Sequence, residues 1–139
     1  MSIGIIDLIF QLKTACLARE ETIRKKLDLT PAEFRGILVL IPGAAIPCNI
    51  VSKKMGLSKS RCSRVIEKMM RNGYMKEALN NGDQRIMKVT LTTKGIKAQT
   101  KIHNMLQDCE SSILKRMSKS ELNAFENAMT KISDILISD

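Results

Sequence analysis

Between residues 59 and 92 the spacing of apolar positions changes from a helical to a strand period. Cys62, Val65, Ile66, Met69 and Met70 recur at i, i+3, i+4, i+7 and i+8, which is one stripe of an α-helix. Lys59, Ser60, Arg61, Ser63, Arg64, Lys68 and Arg71 occupy the opposite face. Ser58 is placed to cap the start, and Asn72-Gly73 supplies residues that tolerate a left-handed exit, so a helix is predicted over 59–72. Beyond it, residues 74–76 and 86–92 predict two short strands, with Met87, Val89 and Leu91 alternating against Lys88 and Thr90. Asn80-Asn81-Gly82-Asp83 is the turn predicted between them.

The flanking patterns are helical. Ile5, Ile6, Ile9, Leu12, Cys16, Ile23 and Leu27 predict a first helix over 3–27, and Leu8, Phe10, Ala15 and Leu17 widen its apolar surface beyond one stripe. A helix apolar on more than one face needs burial or a second partner, which suggests a subunit interface. Thr30-Pro31-Ala32-Glu33 is a capping box with Pro at the first helical position, opening a second helix over 31–41 that stops before Pro42-Gly43. Pro47 opens a short helix ended by Gly56, with Ile50, Val51 and Met55 inward and Lys53 and Lys54 outward. Two short helices joined by a Gly-containing turn, the second carrying the basic residues, form a helix-turn-helix pattern. A long helix over 93–117 follows, with Ile102, Met105, Leu106, Cys109 and Ile113 on one face. Ser118-Lys119-Ser120-Glu121 caps a last helix whose Leu122, Phe125, Met129, Ile132 and Leu136 are spaced as in a seam between helices.

The pattern therefore predicts a mainly α fold with a small β-hairpin wing, one domain over 1–139. Residues 30–92 form a winged helix-turn-helix lobe, and 1–29 with 93–139 supply dimerisation helices.

Charge sharpens this picture. Between Lys53 and Lys101 thirteen Lys and Arg face three acids, a net of +10, although the whole 139-residue chain carries only +9. Such local concentration suits a polyanion, because neutralised phosphates release counterions and supply most of the sequence-independent affinity. Aromatic residues are only 3% of the chain, too few for stacking platforms, so duplex rather than single-stranded nucleic acid is the expected partner. A winged helix used to bind protein would present a neutral or apolar face on 59–71, and this face is basic.

The start lacks a basic n-region, and the uncharged stretch 36–52 is broken by Pro42, Gly43 and Pro47, so neither a signal peptide nor a membrane span is expected, and the location expected is cytoplasmic. His103 is the sole histidine, and no phosphate loop, HExxH or nucleophile elbow is present, so no enzyme is expected.

Cys16, Cys48, Cys62 and Cys109 are scattered without a CxxC pair, and a disulfide framework is not expected. Cys62 and Cys109 fall on apolar stripes, where thiols behave as small hydrophobes. Cys48 is better placed for redox or metal chemistry, near a helix N-terminus that stabilises a thiolate. Cys16 lies near the expected subunit interface. No cofactor is called for; the spacing neither supports nor rules out a metal ion or an iron–sulfur cluster assembled by folding.

Over nearly the whole chain the order of elements resembles the MarR family of winged helix-turn-helix regulators. Leu29-Thr30-Pro31-Ala32-Glu33-Phe34 is similar to its LTxxQ/EF start of the second helix, and Gly56-Leu57-Ser58-Lys59-Ser60 to its GLSKS turn. Asn72-Gly73-Tyr74-Met75 resembles its NG exit, Asp83-Gln84-Arg85 its DxR wing signature, and Leu91-Thr92-Thr93-Lys94-Gly95 its LTxxG start of the fifth helix. The resemblance implies a homodimeric regulator of double-stranded DNA, a repressor released by a small phenolic or anionic ligand or by cysteine oxidation. It implies that Arg85 enters the minor groove, oriented by Asp83, and that Ser60, Arg61, Ser63 and Arg64 read the major groove. Glu77 stands where the family usually has arginine. The family's peroxide-sensing cysteine works with tyrosines of the second helix; Tyr74 is the only tyrosine here, so that mechanism does not transfer.

Overall fold

The computed structural model describes residues 3–78 and 86–138. Its elements in chain order are α1 (Ile5–Leu27), α2 (Pro31–Val39), β1 (Ile46–Pro47), α3 (Cys48–Met55), α4 (Lys59–Arg71), β2 (Met75–Glu77), β3 (Lys88–Leu91), α5 (Thr93–Leu114) and α6 (Lys119–Ser138). Two compact units are present, one extending to Ile102 and the other beginning at His103. No helix of the described residues is long and apolar enough to cross a membrane.

In the first unit, α2, α3 and α4 pack on one another and on a three-stranded antiparallel sheet of order β1-β3-β2. Ile37, Val51, Met69, Val89 and Ile102 are fully buried, so each of these layers contributes to one core. The helix boundaries follow from caps. At α2 the Thr30 hydroxyl accepts from the Glu33 N–H at 3.1 Å and the Glu33 carboxylate accepts from the Thr30 N–H at 3.1 Å, the reciprocal box that the sequence predicts. The helix ends at Val39 rather than at residue 41, because Leu40 turns extended and the buried Gln99 side chain donates to the carbonyls of Ile37 and Leu40 at 2.8 and 2.6 Å. Those two bonds replace the missing next turn.

The turn between α3 and α4 is built on Gly56, whose φ of 66° is the left-handed region that glycine enters at little cost. The Ser52 hydroxyl donates to the Leu57 carbonyl at 2.8 Å and fastens it. Ile50, expected to face inward, is exposed; with Val51 fully buried and Ser52 turned into the loop, the adjacent Ile50 lies on the outside. Helix α4 starts on the Ser58 cap and stops at Arg71, with Asn72 still right-handed and Gly73 taking the positive φ of 82°.

Both predicted strands are present but short. Met75 pairs with Leu91 and Glu77 with Val89, and Ile46 adds a strand on the other side of Val89 that apolar periodicity did not predict. The predicted turn at residues 80–83 lies outside the described residues. The Gly95 backbone lies so close to β2 that a Cβ there would sit 2.0 Å from the Tyr74 carbonyl oxygen. Only glycine fits, and Thr92 anchors the same corner through its N–H to the Tyr74 carbonyl and its hydroxyl to the Gly73 carbonyl.

The terminal helices are different. Ile23 is the only residue of α1 that is buried, and Ile5, Ile6, Leu8, Phe10, Leu12 and Leu17 are exposed. In the second unit α5 ends at Leu114 rather than at 117, the Ser118–Glu121 capping box forms as expected, and no α6 residue is buried.

Candidate nucleic-acid interface

The outward face of α4 carries Lys59, Ser60, Arg61, Ser63, Arg64 and Lys68, all exposed, while Cys62, Ile66 and Met69 on the opposite stripe are 2, 3 and 0% exposed. One helix thus divides cleanly into a buried anchor and a basic presenting face. Among the described residues none of these cations is held in an ion pair, so their donors remain available. Arg61, Arg64 and Lys68 also line a cavity of about 410 Å³ with Thr30, Glu33 and Met55, so the basic face continues into a cleft at the start of α2.

A polar latch ties α2 to the end of α4. The second oxygen of the buried Glu33 accepts from the Asn72 side-chain N–H at 2.9 Å, joining the first turn of α2 to the residue that ends α4. Burial pushes the Glu33 carboxyl up, but the hydrogen bonds from Asn72 and Thr30, aided by the nearby Lys68 charge, outweigh it and hold the pKa below the ordinary value. The Asn72 carbonyl in turn accepts from the Lys94 ammonium at 2.6 Å, and that ammonium lies 4.5 Å from the centre of the Tyr74 ring. Burial pushes the Tyr74 hydroxyl up, helped by the Glu33 and Asp28 carboxylates.

Sequence spacing marks Glu33 as a capping residue and Asn72 as part of the helix exit but not the bond between them, which joins residues 39 apart. A bond between the ends of two helices leaves no periodic trace in the sequence.

The remaining sequence-predicted residues distribute as follows. Asp83 and Arg85 lie outside the described residues. Cys16 is exposed, Cys62 is buried, and Cys48 and Cys109 are half-buried, none in a disulfide. Cys48 begins α3, where a lowered thiol pKa is expected, yet burial, and after it the neighbouring Cys62 and Glu77, push the thiol up. Desolvation outweighs the helix terminus at this position. Among the described residues no group of three or more His, Cys, Asp or Glu side chains is placed to hold a metal ion.

A helix-turn-helix whose second helix presents a basic face, backed by a three-stranded antiparallel sheet, defines a winged helix-turn-helix protein. No model of a protein family matches the chain. The multiple antibiotic resistance protein MarR of Escherichia coli (strain K12) is 23% identical over 107 residues, covering 76% of this chain and 74% of that protein. Among solved structures, Streptococcus pneumoniae FabT in complex with DNA superposes with a TM-score of 0.87 at 20% identity, covering 96% of both chains. The Staphylococcus aureus MepR–DNA complex gives 0.81 at 16% identity over 96% of this chain and 98% of that one. Apo MarR from Escherichia coli gives 0.74 at 21% over 95% and 98%. The fold is the one shared by these winged-helix proteins, FabT, MepR and MarR.

Proposed function

We propose that the chain is a sequence-specific double-stranded DNA-binding transcription regulator, acting in the cytoplasm as a homodimeric repressor that a small molecule or a redox signal releases. It is a regulator and not an enzyme. The observation that carries the reading is the division of α4 into a buried stripe and an exposed basic face. The DNA complexes of FabT and MepR, proteins of the same fold, support it. In this reading Ser60, Arg61, Ser63 and Arg64 meet base edges, Lys59 and Lys68 meet phosphates, and Arg85, oriented by Asp83, enters the minor groove from the wing. The exposed apolar residues of α1 and α6 form the dimer interface.

The test begins with selection of bound sequences from a random duplex pool, followed by salt titrations on the enriched site. An enriched inverted repeat is expected. Arg64→Ala then costs about 1–3 kcal/mol and relaxes preference at one base pair per half-site, whereas Lys68→Ala weakens all duplexes alike. Arg85→Ala makes the slope of log affinity against log salt shallower by about one unit. Asp83→Ala weakens binding although it removes a negative charge. Failure of the pool to enrich any sequence, with no duplex binding at low salt, refutes the reading.

A further inference from the structure

One cavity of the first unit lies apart from the basic cleft, where the end of α1 meets the start of α5. Its volume is about 380 Å³, and Leu27, Tyr74, Lys94, Lys97, Ala98 and Lys101 line it. The Lys94 ammonium is held in place, 2.6 Å from the Asn72 carbonyl oxygen and 4.5 Å from the centre of the Tyr74 ring. Asn72 ends α4, so this ammonium stands about 20 Å along that helix from Lys59, away from the residues assigned to base edges.

The three lysines are arranged against the preferences of the helix that carries them. Lys94 stands in the first turn of α5, where the helix dipole disfavours a cation, and Lys97 and Lys101 follow it along one face, each a like-charged neighbour of the one before. No Asp or Glu occurs in 93–107 to offset them. Among the described residues none of the three is in an ion pair, and neither is Asp28, which follows Leu27. Repulsion of this kind, gathered on a cavity wall, is relieved by an anion. The stagger of the charges chooses among anions. The three positions are strung over about 10 Å of helix axis rather than gathered round one point. A single carboxylate or orthophosphate therefore reaches only part of the row, whereas a chain of phosphoryl groups, charged at every phosphorus, follows it. Lysine suits phosphate as a point charge. The Tyr74 ring is buried with an ammonium over its face, so it offers no platform for a base, and recognition rests on the phosphates. We propose that this cavity binds a condensed phosphate chain, inorganic or carried by a nucleotide, with Lys94, Lys97 and Lys101 as its ammonium partners. The site stands whether or not α4 meets DNA.

The test is calorimetric titration of the full-length protein with sodium tripolyphosphate, at low and fixed ionic strength and without divalent cations. Because the basic face of α4 attracts any polyanion, the assignment rests on paired variants. Lys97→Gln/Lys101→Gln weakens binding about tenfold, as the loss of two exposed charge contacts implies. Lys97→Arg/Lys101→Arg, which keeps the charge, retains it, and Arg61→Ala/Arg64→Ala leaves this binding event in place. Both lysines are exposed, so the ligand-free variants unfold as the wild type does. Orthophosphate at matched ionic strength binds more weakly than tripolyphosphate. A nucleoside triphosphate that binds more tightly than tripolyphosphate identifies a nucleotide as the source, and equal affinity assigns the phosphate chain alone. Absence of tripolyphosphate binding by the folded wild type overturns the proposal. So does equal affinity for orthophosphate, or a loss of binding that follows Arg61 and Arg64 in place of Lys97 and Lys101.

Discussion

Helices α4 and α6 both carry an apolar stripe, and they end in opposite circumstances. In α4 the stripe is spent within the chain: Cys62, Ile66 and Met69 are all but inaccessible, and the basic face outside is what remains to meet a partner. In α6 no residue is buried, and Phe125, Ile135, Leu136 and Ile137 stay exposed at 48, 52, 55 and 83%. Helix α1 resembles α6, with Ile23 alone buried. The difference shows that an amphipathic pattern specifies a contact without specifying which molecule supplies it. For α4 the supplier is the same chain; for α1 and α6 the surplus apolar surface is of the kind that marks protein–protein association.

Substitutions sharpen the contrast. The largest expected effect falls on the α4 side: Met69→Ala removes a fully buried side chain and costs about 2–5 kcal/mol, measured by urea unfolding. A loss below half a kcal/mol would mean that the stripe of α4 is not the anchor described.

The latch gives the next largest effect. Glu33→Gln keeps the shape but gives up charge-assisted bonds and costs about 1–2 kcal/mol at neutral pH. The sign with pH is fixed by the lowered folded-state pKa. Stability from Glu33 is fully present above the carboxyl's unfolded pKa and is lost as pH falls through the folded one. The wild type and Glu33→Gln therefore converge in acid and diverge towards neutrality. Parallel curves of unfolding free energy against pH would show that the Asn72 bond does not stabilise the charged carboxylate.

The smallest effect on the first unit is expected at its surface. Phe10→Ser and Leu12→Ser on α1 change its unfolding free energy by about half a kcal/mol or less, yet convert a dimer into monomers in light scattering at micromolar concentration. A wild type that is already a well-behaved monomer would remove the subunit reading of α1 and α6 together.

Much of this architecture is legible in the sequence because caps and glycines punctuate it. Thr30-Pro31-Ala32-Glu33, Ser58, Gly56 and Ser118-Lys119-Ser120-Glu121 each mark a helix end by a local bond or a required φ, and local requirements survive without tertiary information. Three features were not legible, each for a physical reason. Strand β1 is two residues long and includes Pro47, so it shows no alternation and a residue that reads as a helix opener. In α3, eight residues long, Ile50 and Val51 both fit an inward stripe, and only packing against α2 and α4 decides between neighbours about 100° apart. At Cys48 the helix terminus is visible from the sequence and the opposing burial is not. Of the candidate interface, the basic face of α4 was readable from periodicity, whereas the Glu33–Asn72 latch depends on a separation of 39 residues that no spacing rule reaches.

The end of α2 carries one further consequence, for the order in which the chain acquires its structure. The carbonyls of Ile37 and Leu40 both accept from the Gln99 side chain, 62 and 59 residues further along. Until that much chain has been synthesised and has closed back, at the entropic cost of a long loop, the last turn of α2 has water as its partner and frays. A nascent chain stopped before Gln99 thus holds a capped beginning of α2 and an unfinished end, and the core around Ile37 closes only as α5 arrives.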